Sequence, residues 1–152
     1  MPSIAIGSDI AGYELKEVIK VYLKQLGYEY TDFGVGRDED TDYPEIALTL
    51  AKSISSGEHE RGILVCGTGI GMAIVANKVG GVRAAVCHDP YSAERARKSN
   101  NAQILTMGAR VIGIELAKSI VSTWLHSEFE GGRSTEKVKK VDMIDNSYRR
   151  VQ

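Results

Sequence analysis

The chain of 152 residues has only two cysteines, Cys66 and Cys87, and their spacing is not CxxC. That excludes a disulfide scaffold and a zinc ribbon. It has almost no excess charge: nineteen basic residues against twenty acidic ones leave −1. No basic patch of the kind a nucleic-acid binder presents stands out, so no nucleic-acid partner is expected. Nothing approaches the roughly 18 consecutive apolar residues of a membrane span, so no membrane partner is expected either. The three histidines, His59, His88 and His126, are scattered and show no metal-site spacing such as HExxH. The first residues, MPSIAIGSD, run straight into a strand pattern with no secretory leader. Together these absences point to a cytoplasmic setting with no metal. Aromatics are few, but the 43% hydrophobic content suits a globular core. The length suits one domain over residues 1–152.

What is present is an alternation of short apolar runs with stretches of helical period. Ser3–Ile6 reads as a strand that turns at Gly7-Ser8-Asp9. Leu15, Val18, Ile19, Tyr22, Leu23 and Leu26 then mark one face of a helix that Gly27 stops. Tyr28–Phe33 reads as a second strand, followed by a polar loop from Gly34 to Asp42 that is expected to be flexible. Pro44 opens the next helix in its first turn. Gly62–Cys66 is a third strand of the continuous apolar kind found in parallel sheets. Gly69–Val79 reads as a helix, Ala84–Cys87 as a strand, Asp89 as a helix N-cap and Ile104–Met107 as a fifth strand. Leu116, Ala117, Ile120, Val121, Trp124 and Leu125 mark the buried face of a long helix. The charged tail, 134–152, has only sparse apolar positions and is expected to pack on a partner subunit. The pattern is an α/β, Rossmann-like domain: a five-stranded parallel sheet with helices on both faces. Ligands of such sheets gather beyond the carboxyl ends of the strands, which singles out Asp9, Cys66 and the turn at Cys87–Asp89.

The strongest local signal is Cys66-Gly67-Thr68-Gly69-Ile70-Gly71 between a buried strand and a helix. Alternate glycines let a backbone approach a ligand closely, and N–H groups at a helix start attract an anion. The same groups stabilise a negative sulfur. The plainer reading makes Cys66 a small buried hydrophobe; the glycine turn after it favours the functional one. The loop lacks the GK[ST] of a Walker motif and only partly meets GxGxxG. Asp9 can orient a substrate hydroxyl or cap the helix near Gly12. Tyr43 can meet a ligand or staple a helix start. Cys87, with no glycine loop after it, reads as core. His59 and His126 read as solvated, and His88 as structural or lining the site. Arg110 and Arg133 follow glycine turns and can offer a guanidinium to phosphate, or be ordinary surface cations.

Set together, Gly7-Ser8-Asp9-x-Ala11-Gly12, Asp42-Tyr43-Pro44, the Cys66–Gly71 loop, Cys87-His88-Asp89, Gly108-Ala109-Arg110 and Phe129-Glu130-Gly131-Gly132-Arg133 resemble the ribose-5-phosphate isomerase B family, which includes the LacAB galactose-6-phosphate isomerases. The resemblance implies interconversion of an aldose phosphate and a ketose phosphate through an enediolate, without metal or organic cofactor. It implies Cys66 as the base between C1 and C2, Thr68 near the carbonyl, and the Gly67, Gly69, Ile70 and Gly71 segment as oxyanion loop. It implies Asp9 and Tyr43 as sugar contacts, Asn100 as another across a homodimer interface, and Arg110 and Arg133 on phosphate. A homodimer, or a dimer of such dimers, is therefore expected.

Three positions depart from the family pattern. Ile10 and Ser99 each stand where a histidine is usual, the first at phosphate and the second at ring opening. Lys137 stands where an arginine usually grips phosphate, keeping the charge but losing the bidentate fork. Ribose 5-phosphate is the first expectation for substrate; a tetrose 4-phosphate or hexose 6-phosphate is the alternative. The competing classes are a non-catalytic sugar-phosphate binding module and a nucleotide-binding domain.

Overall fold

The computed structural model describes residues 3–149. The expected tail, 134–152, therefore ends partly outside the described residues. The elements are β1 (Ile4–Ser8), α1 (Tyr13–Gln25), β2 (Tyr30–Asp32), α2 (Tyr43–Ser55), β3 (Gly62–Cys66), α3 (Ile70–Ala76), β4 (Ala84–Val86), α4 (Pro90–Lys98), β5 (Ile104–Gly108), α5 (Ile114–Leu125) and α6 (Arg133–Tyr148). The five strands form one parallel sheet in the order β2-β1-β3-β5-β4.

The three central strands are buried throughout, because helices cover both faces. On one face Ile4, Ile6, Val65 and Met107 meet α1, α4 and α5 through Ile19, Ala93 and Trp124. On the other, Ala5, Leu64 and Cys66 meet α2 and α3 through Leu50 and Met72. Each such Ile, Leu or Met contributes about 1.5–3 kcal/mol by leaving water. The apolar stripe of α1 is read correctly: Leu15, Ile19 and Leu23 are buried, and Gly27 ends the helix at φ +89°.

Some expectations need correction. The helix after Cys66 ends at Ala76 rather than Val79. Asn77 is its C-cap, and the Asn77 side-chain amide pairs with the β4 backbone, its nitrogen donating to the Ala84 carbonyl at 2.9 Å and its oxygen accepting the Ala84 N–H at 2.8 Å. His59 is buried, not solvated. The chain folds back there against β2, so its Nε2 meets Thr31 Oγ1 at 3.1 Å and its ring stands edge-on to Phe33. Leu116 lies on the outer side of α5 and is partly exposed. The polar loop is anchored at its start: Gly34 and Val35 exchange backbone bonds of 2.7 Å with Ser8, and Val35 is fully buried. In α6 only Val138 is buried, while Val141, Met143 and Ile144 are exposed.

Candidate active site

Strands β1 and β3 are neighbours, yet β1 leads to β2 on one side of it and β3 to the opposite side of the sheet. The crevice at their carboxyl ends holds Asp9 and Cys66. Asp9 Oδ1 accepts the Gly12 N–H at 3.0 Å, so Asp9 does shape the turn into α1. Its other carboxylate oxygen makes no hydrogen bond among the described residues.

Cys66 closes β3 and is buried. Its Sγ accepts the Gly69 N–H at 3.1 Å, so the loop curls around the sulfur. Gly69 has φ +79°, and a β-carbon there would fall 2.8–2.9 Å from Met107 backbone atoms; both facts require glycine. Thr106 Oγ1 pins the loop from below by donating to the Gly69 carbonyl at 2.8 Å. Sequence reading passed over Thr106, although a lone hydroxyl in the apolar run Ile104–Met107 was a signal. The exposed Thr68 hydroxyl accepts the Ile70 N–H at 3.2 Å. The N–H groups of Gly67, Thr68 and Gly71 have no acceptor among the described residues.

Two further side chains converge on this loop. The Arg110 guanidinium lies across Gly67, with Nη1 3.1 Å from where a β-carbon would stand. It has no carboxylate partner among the described residues, unlike Arg61, Arg83, Arg95, Arg97 and Arg149. The Tyr43 ring, brought by the first turn of α2, covers Gly71. Cys87, by contrast, is a core thiol: burial, and then the charge of Asp89, push it up to about 11. Asp89 caps α4 by accepting the Ser92 N–H at 2.7 Å.

The remaining expected site residues lie at the other end of the sheet. Helix α4 runs back from Asp89, so its C-cap Ser99 and the next residue, Asn100, sit near the amino end of β5. There Ser99, Asn100 and Lys137 line a groove of about 490 Å³ with Arg83 and Ala84. Glu130 is tied to the Lys98 carbonyl, which brings Arg133 to the same end. One chain therefore separates Cys66, Thr68, Asp9, Tyr43 and Arg110 from Ser99, Asn100, Arg133 and Lys137. Among the described residues, no group of three or more His, Cys, Asp or Glu side chains is arranged to hold a metal ion. No helix of the described residues is long and apolar enough to cross a membrane.

Residues 4–141 match the family described as Ribose/Galactose Isomerase. The chain is 60% identical to the D-erythrulose-4-phosphate isomerase of Pectobacterium atrosepticum over 96% of its own length and 97% of that protein. It is 56% identical to the Ribose-5-P isomerase B of Listeria innocua, over 96% of this chain and 99% of the other. The solved structure of Clostridium thermocellum Ribose-5-Phosphate Isomerase B superposes with a TM-score of 0.94 at 50% identity, covering 97% of this chain and 99% of that one. The chain belongs to the ribose/galactose isomerase family and is an aldose–ketose isomerase of a sugar phosphate.

Proposed function

We propose that Cys66 carries the proton between C1 and C2 and that the substrate is a short, open-chain sugar phosphate, a tetrose 4-phosphate. The observation that supports the base is Cys66 Sγ at the floor of a loop whose N–H groups are free to meet an oxyanion. The thiolate takes the proton from C2 of the aldose. The electron pair left behind forms the C1–C2 double bond, and charge moves to O1, where the N–H groups of Gly67 and Gly71 meet it. Each donor of that kind lowers the barrier by about 3–4 kcal/mol. The thiol then returns its proton to C1, and the C2 hydroxyl proton passes to O1, with Asp9 and Thr68 placed to hold these oxygens. The reaction is redox-neutral within one molecule. Arg110 meets the phosphate, and a second copy of the chain supplies Asn100, Arg133 and Lys137 from its opposite end, so the working unit is a homodimer.

Ser99 supports the choice of sugar. Its Oγ accepts from Arg95 Nε at 2.8 Å and from Nη2, so the hydroxyl is held by a cation. It offers no group able to donate and recover a proton near neutral pH, a function worth ~10²–10⁴ in rate. Pentose and hexose phosphates must open a ring before C2 can react. In a tetrose 4-phosphate the C4 oxygen carries the phosphate, so no furanose forms and no opener is needed. The relative at 60% identity is named for such a sugar. A second reading, ribose 5-phosphate, has the Listeria innocua and Clostridium thermocellum relatives in its favour.

The test is kcat/KM for erythrose 4-phosphate and ribose 5-phosphate in the wild type and in Ser99→His. The tetrose should lead by about tenfold or more, and Ser99→His should raise ribose turnover selectively. Equal or faster ribose turnover with no gain in Ser99→His would establish the second reading. No turnover of either sugar would overturn both readings and point to a hexose 6-phosphate.

A further inference from the structure

Strand β4 stops at Val86, while its neighbour β5 runs on to Gly108. The ladder between them continues one step further, through the Cys87 N–H and the Thr106 carbonyl at 3.0 Å. At the next step the Gly108 N–H donates to His88 Nε2 at 2.9 Å. A side-chain nitrogen has taken the place of a strand carbonyl. A ring nitrogen that accepts carries no proton, so this bond requires Nε2 to be bare. While this bond stands, Nε2 cannot exchange a proton with substrate.

Gly108 is in register with Cys66 and packs directly against the reactive loop. A β-carbon on it would fall 2.6 Å from Thr68 Cα and 2.8 Å from the Gly67 carbonyl oxygen. The two N–H groups that follow donate to the loop, from Ala109 to the Cys66 carbonyl at 2.8 Å and from Arg110 to the Gly67 carbonyl at 3.0 Å. The peptide that His88 holds is thus the one on which the Cys66–Gly69 loop rests and from which Arg110 departs. We infer that His88 is a positioning residue for the isomerase: through the Gly108 peptide it sets the loop N–H groups and the Arg110 guanidinium relative to Cys66. The inference rests on the Cys66 loop being the reaction centre, as proposed above.

The test compares His88→Leu, which keeps bulk but has no acceptor, with His88→Gln, whose amide oxygen reaches about where Nε2 stands. Turnover of erythrose 4-phosphate and ribose 5-phosphate is measured beside hydrogen exchange at the Gly108 amide. His88→Leu should lower kcat about tenfold or more, with a smaller change in KM, and speed Gly108 exchange by a similar factor. His88→Gln should recover most of both. In the wild type, nitrogen NMR should find His88 Nε2 unprotonated and Nδ1 protonated. A protonated Nε2 overturns the inference even if His88→Leu does not fold. So does a His88→Gln enzyme as impaired as His88→Leu. Fast Gly108 exchange with unchanged turnover, beside an inactive Cys66→Ala, refutes the role of His88 alone. An active Cys66→Ala refutes the proposed function instead.

Discussion

The ring of Tyr43 lies so close over Gly71 that a β-carbon there would stand 2.3 Å from its Cε1 and 2.9 Å from its hydroxyl oxygen. The first turn of α2 and the start of α3 therefore meet only because residue 71 has no side chain. Gly71→Ala should push the phenol off the loop. If Tyr43 contacts substrate, KM should rise several-fold while thermal stability falls only modestly. A KM unchanged in both Gly71→Ala and Tyr43→Phe would remove Tyr43 from the site.

Cys66 and Cys87 should respond differently to the same change. Cys66→Ala should abolish nearly all isomerase turnover. Cys87→Ala should keep turnover within about twofold and cost about 1–2 kcal/mol, because Cys87 packs among core side chains. Paired measurements of kcat and of denaturant midpoint decide this, and equal activity losses would contradict it.

Lys16 is fully buried, and its ammonium donates to Asp32 at 2.9 Å and to the Val35 carbonyl at 2.6 Å, anchoring the loop that leads to Tyr43. Burial opposes ionisation of Asp32, but hydrogen bonds from Lys20, Lys16 and the Gly34 N–H outweigh it and hold the carboxyl below its usual range. A carboxylate depressed in the folded state adds stability that is complete above the ordinary carboxylate range, about pH 4. That stability disappears as pH falls through the folded value. Asp32→Asn should flatten this acid limb and destabilise by about 3–5 kcal/mol, since it strands a buried charge. Lys16→Met should cost less, because Asp32 keeps Lys20 at 2.9 Å. Urea unfolding from pH 3 to pH 7 measures both, and a larger loss in Lys16→Met would reverse the argument.

If the site is shared between two copies, inactive subunits should complement each other. Cys66→Ala and Arg133→Ala, each nearly inactive alone, should on mixing and refolding regain about a quarter of wild-type turnover. Half the dimers would then be mixed, and each would hold one intact site. Proven mixed dimers with no recovery would place Arg133 outside the partner's site, and an active Arg133→Ala enzyme would do the same.

The order of residues along the chain decided a good deal of this protein on its own. The continuous apolar runs of β1, β3 and β5, alternating with helical stripes, pointed to a parallel sheet covered on both faces, because strands buried on both sides read as unbroken apolar runs. The loop after Cys66 was legible for the same kind of reason: its glycines lie in one continuous segment, so composition and order alone describe them. Tertiary structure decided whatever depends on contacts between distant segments. Nothing local marked Lys16 as buried beyond its i, i+3, i+7 spacing with Ile19 and Leu23, because its partners come from β2 and the loop that follows. His59 looked like a solvated helix-end residue until the fold-back on Thr31 and Phe33 enclosed it. The division of the site residues between the two ends of the sheet follows from the return path of α4, which carries Ser99 and Asn100 away from Cys66. The bond from Gly108 to His88 exists only because β4 ends short of its neighbour, and strand ends are set by pairing across the sheet rather than by the residues of one strand.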